Sequence, residues 1–114
     1  MQRAYEMMVI LSGELDESPA QAWVKQIADL IGQHGGTVVG QPDFWGKRRF
    51  AYEINHRHEG YYAVLNVVAE GGALDDLERN FRLSDDIVRH KLIRLPDREA
   101  QRRGMLGASA PAAG

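Results

Sequence analysis

Lys47, Arg48 and Arg49 stand in a row and run straight into Phe50-Ala51-Tyr52-Glu53-Ile54, a stretch of strand-forming residues. The chemistry on offer is recognition of an anion. A guanidinium presents a planar fork of donors that fits a phosphate, and a nearby tyrosine such as Tyr52 can stack on a base or pack against a partner chain. Side chains alternate along a strand, so Arg48 and Phe50 point one way and Arg49 and Ala51 the other. The plainer alternative is an edge strand whose cations only block edge-to-edge association. The triplet alone does not choose between them.

A second basic group is Arg82, Arg89, His90, Lys91 and Arg94. On one strand Arg89 and Lys91 share a face while His90 and Arg94 take the other. The competing reading is an amphipathic edge strand with no ligand. Arg3 stands apart from both groups. Residues 1–45 hold two cations, Arg3 and Lys25, against six acids, whereas residues 46–94 hold nine cations and eight acids. Formal net charge over the 114 residues is −2, so the chain as a whole is no basic nucleic-acid binder. Its positive charge is local, and local patches are what meet phosphates.

Other chemistries find less support. The chain has no cysteine, which excludes disulfides, cysteine-held zinc, iron–sulfur clusters and thiol nucleophiles. His56 and His58 have no third ligand nearby in sequence, so no metal is expected. No nucleophile–base pairing is evident. The loop after the first strand, Gly13 to Ser18, carries three acids and would repel a phosphate, so no enzyme, cofactor or small-molecule substrate is expected. No apolar run approaches the ~20 residues that span a bilayer, and Met1 to Glu6 lacks a signal peptide's apolar core. A cytoplasmic protein without a membrane partner is the expectation.

The elements that would position these residues follow from periodicity. Ala4–Ser12 is apolar on both alternating sets, the mark of a central strand. Ser18 and Pro19 suit an N-cap and first helical residue, and Trp23, Ile27, Leu30 and Ile31 make a helical stripe that Gly35-Gly36 ends. Thr37–Val39 opens a second strand, interrupted at Gly40–Asp43 and resumed over Arg48–Ile54. Asn55–Gly60 reads as a turn and Tyr61–Ala69 as a third strand. Leu74, Leu77 and Phe81 share a face of a second helix, and Ile87–Leu95 is the last strand. The order β-α-β-β-α-β gives an α+β, ferredoxin-like fold: a four-stranded antiparallel sheet with both helices on one face. The domain then spans 1–96, and residues 97–114, rich in Arg, Ala and Gly, read as a disordered tail.

Two consequences follow from that fold. The basic groups sit at opposite sheet edges, which suits one molecule gripped from two sides or two separate partners. The face without helices shows tyrosine and aliphatic surface, which suits a partner. Glu59-Gly60-Tyr61-Tyr62-Ala63-Val64 partly matches the RNA-binding motif of RRM domains on the same strand of the same fold. Glu59 reverses the charge that motif needs, Tyr62 replaces a small residue and Ala63 an aromatic one.

Gly46-Lys47-Arg48-Arg49-Phe50-Ala51-Tyr52-Glu53-Ile54-Asn55 resembles the signature of the bacterial small-subunit ribosomal protein S6 family, with Phe50 where leucine is usual. Arg3-Ala4-Tyr5-Glu6, Gly60-Tyr61 and Ile87-Val88-Arg89-His90 support the resemblance, which covers residues 2–96. It implies a structural role: binding the central domain of small-subunit rRNA together with ribosomal protein S18. By position it points to Arg48, Arg49, Arg89 and Arg3 for RNA or partner contact; the neighbouring Lys47, Tyr52, His90, Lys91 and Arg94 complete the candidate set. The alternative function is a ferredoxin-like interaction or small-molecule regulatory module.

Overall fold

The first strand is apolar on both faces because it lies inside the sheet. β1 (Gln2–Ser12) pairs antiparallel with β3 (Arg57–Glu70) on one side and with β4 (Ile87–Arg94) on the other. β2 (Thr37–Ile54) adds to the outside of β3, giving the order β2-β3-β1-β4. This is the ferredoxin-like arrangement expected from the sequence. The computed structural model describes residues 1–54 and 56–105.

The helices α1 (Glu17–Gln33) and α2 (Asp75–Leu83) cover one face. Met7, Val9 and Leu11 of β1 and Leu65 and Val67 of β3 meet Val24, Ile27 and Ile31 of α1 and Leu77 and Phe81 of α2 in one buried core. The buried positions of α1 are Ala20, Val24, Ile27 and Ile31, so the helix turns slightly from the stripe expected. Trp23 lies at its margin and its indole N–H donates to Asp86 at 3.2 Å. The helix also starts earlier than expected, with Asp16 rather than Ser18 at the N-cap. Pro19 falls in the first turn, where its missing N–H leaves no bond unmade.

β2 is continuous instead of split. Its register slips between Val39 and Asp43 and between Phe44 and Gly46, with Gly40 at φ 75° and Gly46 at φ 87°. An edge strand tolerates Pro42 and such bulges because one side of its backbone is unpaired. The following turn is tighter than expected. Ile54 pairs with Arg57, His56 adopts φ 63°, and β3 begins at Arg57.

The face without helices is partly closed from both ends. Phe50 is buried and meets Tyr62 edge-on, with centroids 6.1 Å apart. This contact requires Gly60, where a Cβ would stand 2.6 Å from the Leu11 carbonyl oxygen and 3.0 Å from Phe50 Cζ. At the other end a third helix, α3 (Asp97–Arg102), folds back onto the sheet. Ala100 and Met105 pack with Ala4 and Leu95, and Val39 and Val68 border them. Arg103 Nη1 donates to Glu6 and Asn66, each at 3.0 Å, and its Nε donates to Glu99 at 2.6 Å.

The domain boundary at 96 is therefore corrected: the fold runs on through Met105, and residues 106–114 lie outside those described. Composition hid this helix because its apolar content is only Ala100 and Met105. A glycine stop places the second of them. Gly104 at φ 73° lets the Met105 amide return to the Ala100 carbonyl at 2.8 Å, a Schellman closure. Among the described residues no helix is long and apolar enough to cross a membrane.

Two outcomes check this packing. Phe81→Ala should lower stability by about 3–5 kcal/mol in denaturant melts; an unchanged midpoint would displace Phe81 from the core. The helix α3 should also loosen in acid. Hydrogen bonds from Arg102 and Arg103 hold the Glu99 carboxyl at about 2, against an ordinary 4.5. A depressed carboxyl contributes fully above its ordinary value and loses that contribution as pH falls toward the folded one. Protection of the Ala100 and Met105 amides should decline between pH 4.5 and 2, and Glu99→Gln should remove that pH dependence.

Candidate nucleic-acid interface

The three consecutive cations of β2 diverge. Lys47 pairs opposite Tyr61 on the helix-covered side. Its Nζ lies 5.4 Å from the Tyr61 ring centroid and 3.8 Å from a Glu59 carboxylate oxygen. Tyr61 is itself fixed, stacked on Phe44 at 5.9 Å and donating its hydroxyl to the Leu15 carbonyl at 2.9 Å. Arg48 pairs opposite Gly60 on the open face, and its Nε and Nη2 each reach the Trp45 carbonyl at 3.4 Å. Arg49 points into a cleft of about 350 Å³ at the end of the sheet, with Glu14, Arg57 and His58 among its walls. Tyr52 is 69% exposed.

On β4, Arg89 pairs opposite Ile10 and Lys91 opposite Met8, so both stand on the open face. Neither has an ion-pair partner among the described residues. His90 points the other way. Its side chain is 10% exposed, its Nε2 lies 3.0 Å from Glu78, and its ring meets Phe81 edge-on at 5.4 Å. The structure thus makes His90 a packing residue between α2 and β4, mostly covered, on the wall of the groove between them. Alternation put His90 opposite Arg89; only the position of α2 says that its side is covered.

Arg3 and Arg94 form a separate pair of cations at the far end of the sheet. Arg94 pairs opposite Tyr5, and the Arg3 guanidinium lies against Gly71, where a Cβ would come within 2.8 Å of its Cζ. The structure therefore distributes the candidate residues over three places instead of one site. Sequence reasoning missed Arg57. It joins Arg82, Arg89 and Lys91 along a groove of about 770 Å³ between α2 and the edge of β4. Its Nη1 is buried without a hydrogen-bond partner. No local pattern marks Arg57, because its nearness to α2 is a consequence of tertiary packing.

The acids only partly offset this charge on the open face, where one of the two is tied up in an ion pair. Glu6 is taken by Arg103 at 3.0 Å, and Asp43 accepts the Trp45 indole N–H at 3.0 Å. Among the described residues no cluster of three His, Cys, Asp or Glu could hold a metal ion. His56 instead contacts Glu53 at 3.1 Å.

A family model described as Ribosomal protein S6 matches residues 4–94, which carry the β-α-β-β-α-β order and most of these cations. The chain belongs to the ribosomal protein S6 family. The small ribosomal subunit protein bS6 of Carboxydothermus hydrogenoformans is 47% identical over 94 residues, covering 82% of this chain and 97% of its own. That of Symbiobacterium thermophilum is 46% identical over 92 residues, covering 81% and 96%. The crystal structure of 30S ribosomal protein S6 from Thermotoga maritima superposes with a TM-score of 0.80 at 30% identity, over 91% of this chain and 97% of that one. Membership makes the chain a structural constituent of the small ribosomal subunit in the cytoplasmic ribosome, and not an enzyme. The helix α3 lies beyond the residues that the S6 family model matches.

His90 and Lys91 are neighbours with opposite expected roles. His90→Ala should lower stability by about 1–3 kcal/mol, because the ring no longer packs on Phe81 and Glu78 is left without its partner. It should leave ligand affinity of the folded protein unchanged. Lys91→Ala should leave the melting midpoint in place and weaken anion binding. Melts and RNA-binding titrations of both variants check the contrast.

Proposed function

We propose that the chain binds the central domain of small-subunit rRNA together with ribosomal protein S18, using cations at both edges of its sheet. The observation that carries the reading is the pairing state of those cations. Arg48, Arg49, Arg89 and Lys91 are exposed, and none forms an ion pair among the described residues. A solvated charge run needs no such arrangement at two opposite edges, whereas a phosphate backbone crossing the sheet meets both. The net charge of −2 fits a shared contact, because a basic partner supplies the counter-charge that this chain lacks. Arg57 and Arg82 extend the cations of the β4 edge into a groove where, with Arg89 and Lys91, they outnumber the acids Glu78 and Asp85.

The test compares Arg48→Ala/Arg49→Ala and Arg89→Ala/Lys91→Ala with the parent chain, each with S18 and central-domain RNA over a range of salt. Each double variant should stay folded and bind more weakly. Each should also flatten the slope of log affinity against log salt, by roughly 0.7–0.9 for every phosphate it no longer neutralises. An unchanged slope and affinity for both variants would refute the assignment.

A further inference from the structure

We propose that Trp45 and Tyr62 form a stacking seat for an unpaired base of single-stranded RNA, with Arg48 placed beside it for the adjoining phosphate. The inference rests on the RNA-binding reading above and specifies which face would meet unpaired nucleotides. Trp45 is the extra residue where the register slips between Phe44 and Gly46, so that Trp45 and Gly46 together oppose Tyr62. A bulge of this kind re-aims a side chain. Here it lays the indole parallel to the Tyr62 ring, within 8° and with centroids 5.9 Å apart. Phe50 backs Tyr62 edge-on. The indole N–H is held by Asp43 at 3.0 Å and the Trp45 carbonyl by Arg48 at 3.4 Å.

The ring is thus fixed on one face and along its edge, yet Trp45 remains 44% exposed. What is left open is a flat aromatic surface held in place before any ligand arrives. Such a surface loses little freedom on binding, which is what makes a stacking contact favourable.

Charge decides the occupant. The same face carries Arg48, Arg89 and Lys91; Glu6 is ion-paired with Arg103, and against these cations stands Asp43, whose carboxylate accepts the neutral indole N–H. A basic protein segment would meet like charge there. A nucleic-acid strand offers the complementary pair of features, an aromatic face on each base and a negative charge on each linkage. The aromatic stack gives no hydrogen-bond readout of a base edge, so the seat accepts any base.

The experiment titrates the full chain at low salt with a labelled short oligouridylate and with an abasic strand of the same length. The parent should prefer the oligouridylate by about 5- to 150-fold in Kd, the range that one base–aromatic stack contributes. Trp45→Leu should abolish the preference, Trp45→Phe should retain most of it, and Arg48→Ala should weaken binding of both strands. Equal affinity of the parent for the two strands would overturn the seat, as would a preference that survives Trp45→Leu. Binding of neither strand, with subunit association abolished in Trp45→Leu, would assign the ring to a protein contact and overturn it equally. Association of the parent chain with the small subunit, followed in parallel, separates the two claims. If it persists while the preference is absent, the seat falls and the ribosomal RNA reading stands. If the parent fails to associate, the reading itself falls.

Discussion

β1 and β3 are apolar on both faces, but two helices cover only one. The rest of the molecule answers that mismatch. Burying both faces of a central strand needs cover on each. On the first face α1 and α2 supply it. On the second the chain uses what remains: Phe50 folded in from the edge strand, α3 folded back from the C-terminal side, and the Trp45–Tyr62 stack between β2 and β3. The cover is incomplete, and the middle of the open face stays half-exposed around Met8, Val64 and Tyr62.

The same geometry sets the electrostatics. Because β2 and β4 are the outer strands, cations on them are held at opposite edges of one platform. Alternation within β4 then sorts its charges, sending Arg89 and Lys91 to the open side and His90 into the packing against Phe81. Of the acids on this face, Glu6 is paired with Arg103, which leaves Asp43 against Arg48, Arg89 and Lys91. A chain with a small net negative charge can therefore present a locally positive surface.

Much of this was legible in the sequence, for identifiable reasons. The β-α-β-β-α-β order followed from periodicity, and the two-sided burial of β1 from the alternation in Tyr5-Glu6-Met7-Met8-Val9-Ile10. The opposite placement of the two basic groups followed from the order. What stayed hidden was tertiary. Arg57 reaches a groove formed by α2, and nothing beside it in sequence says so. His90 is covered by a helix that alternation alone cannot locate. The helix α3 carries too few apolar residues to show a stripe, and it is held by Arg103 bonding to Glu6 and Asn66, which are remote in sequence. The bulge at Trp45 was hidden because Gly46 reads equally as a turn or a slip in register.

If the cations act as proposed, RNA lies against the sheet edges and the α2 side of the β4 groove, and not against α1. The absence of cysteine allows a direct measurement, since one introduced thiol gives one tether for an iron chelate. Leu83, 78% exposed beside Arg82 at the end of α2, marks the groove between α2 and β4; Ala51, exposed beside Tyr52, marks the β2 edge; and Gln26, exposed on α1, marks the α1 side. Directed hydroxyl-radical cleavage would be read on central-domain RNA bound with S18 to each single-cysteine chain. Strand scission is expected from Leu83→Cys and Ala51→Cys, and none above background from Gln26→Cys. Scission from Gln26→Cys alone, or from no position in a complex that still forms, would contradict RNA binding at the β2 edge and the β4 groove.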